Sequence, residues 1–309
     1  MANLFWKNEH NDLSLLTQQP FKTEEELEDY LYRTPQLLGD LIIISRQIKS
    51  GTRRDIPDLI AIDGDGNVVI IELKKASATE DVIPQVLRYA IWAETNPDAI
   101  KNLWLESPQK PDNRVIDWDA LTIKILVIAE KVPVNVLRLA NRIAYPVEFV
   151  EVSRFISKGN EFVLVSSQTP EEIPNVSTVR GKQNWDEAWY RQNFNSESVD
   201  VFLKTVASVD RIVKSKGWNL EAKFNKNYVS FKYGFPIVFG VQWIGSKSFC
   251  LFFKLPQQQV KKIHVEGIEP LRYEEEWHQV LYKVDSKDYP LEKMLPLFEA
   301  AYQNITGNK

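Results

Sequence analysis

The stretch that most constrains the fold of this chain runs from Pro57 to Lys74. The turn Gly64-Asp65-Gly66-Asn67 separates two apolar runs, Leu59–Ile62 and Val68–Ile71. Glycine and aspartate between two apolar runs are typical of a β-hairpin. The second run is apolar at every position, which indicates a central strand, yet it continues into Glu72-Leu73-Lys74. Charged side chains therefore follow where burial is expected, and this favours a functional site.

The hairpin predicts that Asp58 and Glu72 are cross-strand neighbours. If the loop is centred on Asp65, both residues lie seven positions from the centre, with Cβ atoms about 5 Å apart. A register slip of one residue would send the two side chains to opposite faces of the sheet. Adjacent carboxylates repel each other unless a proton or a cation lies between them. Mg²⁺ prefers oxygen ligands, and the backbone carbonyl of Leu73 would supply a third.

Lys74 completes a set of groups that suits phosphodiester hydrolysis. Residues two apart in a strand share a face, so Lys74 lies beside Glu72. A divalent cation polarises a phosphoryl oxygen and lowers the pKa of bound water. The ammonium group can then hold the hydroxide or offset charge on the phosphate. The alternative is that Glu72 and Lys74 are exposed on a half-buried strand and that Asp58 is a turn residue after proline.

A helix predicted over residues 83–94 follows the hairpin directly. Gln85 and Tyr89 are one turn apart and share a face, and Val86 and Ala90 can pack on the sheet. A face with Gln85, Arg88 and Tyr89 offers donors for a base edge or a phosphate, and a ring for stacking. The alternative is a solvent-exposed glutamine beside a half-buried core tyrosine.

The order of predicted elements indicates two domains. Residues 1–170 predict an α-β-β-β-α-β-α-β order, which is a mixed α/β architecture, and they begin with a capping box at Thr23 and Glu26. Residues 171–185 are polar and proline-containing and predict a linker. Residues 186–309 predict a smaller α+β domain, with helices at 197–216, near 274–279 and at 291–303, and strands between residues 222 and 254.

Composition excludes several classes of site. Cys250 stands alone, so the chain has neither an internal disulfide nor a cysteine metal cluster, and a reducing cytoplasm fits. The three histidines lack metal-binding spacing. The net charge is −4, which differs from the strongly basic body of a general nucleic-acid coating protein. Neither a signal peptide nor an apolar run long enough for a membrane is visible, so we expect no membrane association.

Several motifs together resemble the PD-(D/E)xK nuclease superfamily, in its RecB-like branch with the QxxxY motif. They are Pro57-Asp58, Glu72-Leu73-Lys74 and Gln85-Val-Leu-Arg-Tyr89. The surrounding residues, including Leu27–Gly39 and Arg46-Gln47, are similar to the nuclease domain of NucS-type endonucleases. The resemblance covers roughly residues 20–130. Those enzymes carry a DNA-binding domain before the nuclease, whereas here an additional domain follows it.

The resemblance implies a restriction-endonuclease-like αβββαβ core and cleavage of DNA with Mg²⁺ or Mn²⁺. It makes Asp58 and Glu72 metal ligands and Lys74 the catalytic lysine, and it places Gln85 and Tyr89 at the QxxxY positions. The family adds a glutamate from the first helix, for which Glu24 is the better match and Glu28 the alternative.

We therefore expect a divalent-metal-dependent DNA endonuclease of DNA repair, restriction or phage defence. The alternative is a catalytically inactive DNA-binding or assembly module on the same fold. A homodimer is left open.

The second domain carries one further pattern. Between residues 214 and 233 lysines alternate with aromatic residues, which would suit a nucleic-acid backbone and its bases. The same pattern is typical of a half-buried antiparallel strand.

Overall fold

A computed structural model describes residues 4–7, 12–46, 57–111, 116–118, 121–168, 185–284 and 289–307. The chain divides into two compact units, Met1–Lys182 and Gln183–Lys309. The predicted linker 171–185 lies outside the described residues except for Trp185, so the predicted bounds 1–170 and 186–309 stay predictions. Among the described helices, none combines the length and the apolar character that crossing a membrane requires.

The described part of the first unit contains eight strands in one mixed sheet. The strands are β1 (Leu4–Lys7), β2 (Leu13–Gln18), β3 (Ile42–Arg46), β4 (Leu59–Ile62), β5 (Val68–Ser77), β6 (Ile123–Lys131), β7 (Val147–Ser157) and β8 (Asn160–Gln168). Their order is β1-β2-β7-β6-β5-β4-β3, with β8 also paired to β7. The pairs β5–β6 and β6–β7 are parallel and the others are antiparallel. The predicted α/β class is confirmed for this unit.

Four helices accompany this sheet in the described residues. They are α1 (Glu24–Arg33), α2 (Val82–Thr95), α3 (Pro97–Glu106) and α4 (Val134–Ala140). The predicted capping box starts α1, because Thr23 Oγ1 accepts a hydrogen bond from Glu26 N at 3.1 Å. The helix ends at Arg33, two residues before Pro35, and buries Leu27 and Leu31. Helix α3 was not predicted; it begins at Pro97, a favourable first helical position.

The second unit is α+β as predicted. Its described strands are β9 (Glu221–Phe224), β10 (Tyr228–Lys232), β11 (Ile237–Trp243), β12 (Phe249–Lys254), β13 (Arg272–Glu274) and β14 (Gln279–Val284). They form an antiparallel sheet in the order β13-β14-β12-β11-β10-β9. Its described helices are α5 (Glu187–Asn193), α6 (Ser196–Ser215), α7 (Gln257–Val260) and α8 (Leu295–Thr306). Side chains of α6 and α8, among them Phe202 and Phe298, form one aromatic core with those of the sheet.

The helix predicted near residues 274–279 is wrong. Glu274 and Gln279 are instead paired residues of the antiparallel strands β13 and β14. Val280, Tyr282 and Val284 alternate into the core, which is the period of a strand. Pairing with β12 therefore decides the structure of this segment, and local charge composition does not.

Most rings of the lysine-aromatic stretch pack inside the second unit. Phe231 and Tyr228 are buried, and Trp218 stacks on Tyr302 with ring centroids 4.6 Å apart. These rings are occupied by packing, and residues 221–232 form the antiparallel pair β9–β10, which favours the half-buried strand interpretation. Tyr233 is exposed, so base stacking by that ring stays a prediction.

A buried ion pair fixes the β4–β5 hairpin at its turn. Lys124 Nζ lies 2.6 Å from Asp63 Oδ2, and Asp63 Oδ1 accepts hydrogen bonds from the backbone N–H groups of Asp65 and Asn67, each at 2.9 Å. Burial alone would raise the pKa of Asp63, but the charge of Lys124 and the hydrogen bonds from Asn67 and Lys124 lower it. The network joins the turn to β6 and sets the centre of the hairpin.

Replacing Asp63 by asparagine should lower the free energy of unfolding by about 3 kcal/mol at pH 7, because Lys124 loses its nearest counter-charge in a largely buried position. Since the folded pKa of Asp63 is lowered, its stabilisation is present above the ordinary carboxyl pKa of about 4 and is lost as the pH falls. Urea unfolding at pH 7 and pH 3 measures both effects.

The double variant Asp63→Asn with Lys124→Met is the control, and it should recover part of the loss because no lone charge stays buried. A loss below about 0.5 kcal/mol for Asp63→Asn would be typical of a surface substitution and would contradict this role for the pair.

Candidate active site

The hairpin has the register that places Asp58 opposite Glu72. Leu59 pairs with Ile71 and Ile62 with Val68, so the hairpin is centred on residue 65 as predicted. Asp58 directly precedes β4, and its Oδ2 accepts a hydrogen bond from Leu73 N at 2.8 Å. That bond holds the Asp58 carboxylate against β5, one residue from Glu72.

Glu72 is buried in the middle of the central strand β5, directly after the last residue that pairs with β4. Glu72 is 1% exposed, and every residue of β5 from Val68 to Leu73 is buried. Glu72 Oε1 accepts a hydrogen bond from Lys74 Nζ at 2.5 Å. Glu72 Oε2 is also buried and has no hydrogen-bond partner among the described residues. A buried carboxylate oxygen without a donor is costly, and it is suited to accept a cation.

Lys74 lies between two carboxylates. Its Nζ is 2.5 Å from Glu72 Oε1 and 4.0 Å from Glu24 Oε1 of helix α1. The structure thus brings Asp58, Glu72, Lys74 and Glu24 together, which are four of the six predicted site residues.

The electrostatics of the site follow from this crowding. The pKa of Glu72 is raised to about 7, mainly by burial and then by the charge of Asp58, while Lys74 opposes the rise. Burial and the charge of Asp58 also raise the pKa of Glu24, against the charge of Lys74. Burial alone would lower the pKa of Lys74, but the hydrogen bond and charge of Glu72 raise it, so the ammonium form is strongly favoured.

Gln85 and Tyr89 of α2 form a linked pair near the carboxylates. Gln85 Nε2 donates a hydrogen bond to the Tyr89 hydroxyl at 3.0 Å. Burial raises the pKa of Tyr89, and the charges of Glu72 and Asp58 contribute in the same direction. The negative charges of both carboxylates therefore disfavour loss of the phenol proton. Because the hydroxyl accepts from Gln85, its own proton is left to donate.

Helix α1 carries a second glutamate, Glu28, which forms an ion pair with Arg46. Glu28 is buried and its Oε1 lies 2.8 Å from Arg46 Nε. Arg46 also pairs with Asp29, and its guanidinium lies 4.4 Å from the centre of the Tyr32 ring. Glu28 is thus committed to an ion pair, whereas Glu24 faces Lys74. Arg46 is not predicted from the sequence as the ion-pair partner of Glu28; its place at the end of an apolar strand was the available signal.

The donor set fits a hard divalent cation better than a softer metal. In the described part of the chain, no three His, Cys, Asp or Glu side chains converge on one metal position. The available oxygens are the Asp58 and Glu72 carboxylates and the backbone carbonyl of Leu73. Mg²⁺ and Mn²⁺ accept such partial oxygen sets because waters and substrate phosphate fill the remaining positions.

Comparison with known proteins gives one partial sequence match. No protein-family model matches the chain. Endonuclease NucS 2 of Halobacterium salinarum is 37% identical over 78 residues, which are 25% of this chain and 30% of that protein. The chain therefore matches less than a third of the length of this curated relative.

A solved structure of a repair endonuclease from Pyrococcus abyssi is similar at a TM-score of 0.27 and 15% identity, over 47% of this chain and 63% of that chain. That score is too low to indicate a shared fold.

In the absence of divalent cations, Glu72→Gln should raise the free energy of unfolding at pH 8 by about 1 to 3 kcal/mol. A carboxyl whose folded pKa is raised from 4.5 to about 7 loses stability for the fold as the pH rises between those values. At pH 4.5 the two proteins should therefore be nearly equal. Chemical unfolding in a chelator at both pH values measures the difference.

Glu106→Gln, which changes an exposed carboxylate at the end of α3, is the control and should show no such pH-dependent gain. A destabilised Glu72→Gln at pH 8 would contradict the unfavourable burial of this charge.

Proposed function

We propose that this protein is a divalent-metal-dependent endonuclease that hydrolyses phosphodiester bonds in DNA. The observation that carries the proposal is the Asp58–Glu72–Lys74 cluster, with a buried, unpartnered oxygen on Glu72. Sequence similarity to Endonuclease NucS 2 over 78 residues supports the same activity class. The relative supports an endonuclease; the choice of DNA rests on the motif resemblance.

The proposal includes membership of the PD-(D/E)xK superfamily, in the branch with the QxxxY motif. The order α1, β3, β4, β5, α2 and β6 supports an αβββαβ core, with α3 as an addition between α2 and β6. The motif residues lie in the middle of β5 and on the helix that follows it, which supports their assignment. Repair, restriction and phage defence are the settings that this activity would serve.

Asp58, Glu72 and the carbonyl of Leu73 would hold Mg²⁺ or Mn²⁺. Such a cation supplies Lewis-acid chemistry, because it withdraws charge from a phosphoryl oxygen and makes water easier to deprotonate. The Asp58 carboxylate is already held one residue from Glu72, so cation binding would need little rearrangement of the backbone. Relief of their mutual repulsion would favour binding.

Lys74 would act on the reacting groups. Its ammonium is held by Glu72 and lies near Glu24, so it stays charged and oriented at the mouth of the site. It is placed to stabilise the nucleophile or the negative charge that develops on the phosphate. Glu24, which is partly exposed and lies beside the same ammonium, would orient a water there.

Gln85 and Tyr89 would position the nucleic acid. The Gln85 amide fixes the Tyr89 hydroxyl, which can then donate to a phosphate oxygen. Exposed Arg88 on the next turn adds positive charge at the same helix. These α2 residues would bind and align the DNA, while the β5 residues would take part in the hydrolysis.

Purified protein should nick or cut DNA with Mg²⁺ or Mn²⁺, and Lys74→Ala should slow cleavage at least about 100-fold, because it removes the stabilising ammonium. Asp58→Asn should slow cleavage similarly, although an amide oxygen can still accept from Leu73 N and keep the fold. Single-turnover cleavage assays, with unfolding curves for each variant, measure the effect.

Lys75→Ala is the matched control, since Lys75 is exposed and donates to the Lys22 carbonyl, and it should cleave at nearly the wild-type rate. Binding of DNA without cleavage under either cation would overturn the endonuclease proposal in favour of the inactive DNA-binding module.

Gln85→Ala and Tyr89→Phe should weaken DNA binding about tenfold, because each removes a group that fixes or makes a phosphate contact. Their affinity for Mn²⁺ should stay unchanged. Fluorescence anisotropy with a labelled DNA and a Mn²⁺ titration separate the two effects. Gln303→Ala, an exposed glutamine of α8, is the control; unchanged DNA affinity in the α2 variants would show that the Gln85–Tyr89 pair is only structural.

A further inference from the structure

The hydrogen-bond pattern of the β4–β5 ladder determines which way Leu73 faces. Asp63 N donates to Asn67 O at 3.0 Å, so residues 63 and 67 form a hydrogen-bonded pair. Hydrogen-bonded pairs recur at every second position along antiparallel strands. In the register of this hairpin, Ala61–Val69 and Leu59–Ile71 are such pairs. The next pair in the series is Pro57 with Leu73.

The hydrogen bond of the Leu73 amide also shows that Leu73 faces β4. Its N–H bonds the Asp58 carboxylate, on the β4 side of β5. In a hydrogen-bonded pair a residue directs both its N–H and its C=O toward the same partner strand. The carbonyl of Leu73 therefore faces the β4 side too, next to Asp58 and away from β6.

Pro57 cannot form the second hydrogen bond of its pair with Leu73. In the ladder, the Leu73 carbonyl would accept a hydrogen bond from the N–H of residue 57, and proline has no N–H. Pro57 is buried, so the position belongs to the packed edge of the hairpin. Strand β4 accordingly begins at Leu59, and the carboxylate of Asp58 takes over the Leu73 amide.

We propose that Pro57 is a positioning residue that keeps the backbone carbonyl of Leu73 available as a ligand for a divalent cation. The inference rests on the proposed metal centre and assigns a reason to the proline of the motif. An N–H at position 57 would engage the carbonyl and would extend β4 by one pair. The cation would then lose one of three protein oxygens.

Mn²⁺ binding to the full chain tests this inference without any cleavage assay. Pro57→Ala introduces the N–H and should weaken Mn²⁺ binding about tenfold, as changes next to metal ligands commonly do. Replacing residue 57 by lactic acid, which has the methyl group of alanine and an ester oxygen in place of the N–H, should restore most of the affinity. Calorimetry or the electron paramagnetic resonance signal of free Mn²⁺ gives the dissociation constants.

Two further variants serve as controls for the Mn²⁺ binding experiment. Pro84→Ala removes a proline from the first turn of α2, where the new N–H has no helical acceptor, and should bind Mn²⁺ like the wild type. Glu72→Gln should abolish binding. If Glu72→Gln and the wild type bind Mn²⁺ equally, or neither binds it, the metal centre itself is wrong and this inference falls with it.

The remaining outcomes bear on Pro57 alone. If binding depends on Glu72 but Pro57→Ala binds as tightly as the wild type, the inference is overturned and the metal centre stands.

If Pro57→Ala does not fold, the carbonyl carbon of Leu73, observed by NMR through the amide of Lys74 in the wild type, gives the answer. Its signal should move on addition of Mg²⁺, and a signal that stays in place while Mg²⁺ binds would overturn the inference.

Discussion

The burial of Glu72 beside Asp58 is the constraint on which the site depends. Strand β5 lies between β4 and β6, and its apolar residues are buried up to the point where Glu72 follows. A carboxylate there is unfavourable in itself, because it is desolvated and lies near a second negative charge. The fold accepts this cost within its central strand, and under the proposed function a bound cation would offset it.

Neighbouring groups offset part of this negative charge by pairing with the carboxylates. Lys74 neutralises one oxygen of Glu72, and the Leu73 amide engages Asp58. Arg46 pairs with Glu28 and offsets its negative charge. One oxygen of Glu72 is still left without a donor among the described residues. Under the proposed function, stability and activity would oppose each other at this position, as is common in sites that are organised before their ligand arrives.

Much of this arrangement could be predicted from the sequence, because local turn chemistry sets the hairpin register. The Gly-Asp-Gly turn fixes the centre at residue 65, and a period of two then places Asp58 opposite Glu72. Position alone could not separate Glu24 from Glu28, since both face the same side of α1; the structure shows that their partners differ, Lys74 for Glu24 and Arg46 for Glu28. The helix expected near residues 274–279 failed because strand pairing in the second unit outweighed local propensity.

A crystal structure of the full chain grown with Mn²⁺ tests the central claim most directly, because the anomalous signal locates the ion itself. The account predicts one strong peak bounded by the carboxylates of Asp58 and Glu72 and the carbonyl of Leu73. An ion bound elsewhere, or Asp58 and Glu72 side chains that point away from each other in that crystal, would contradict it.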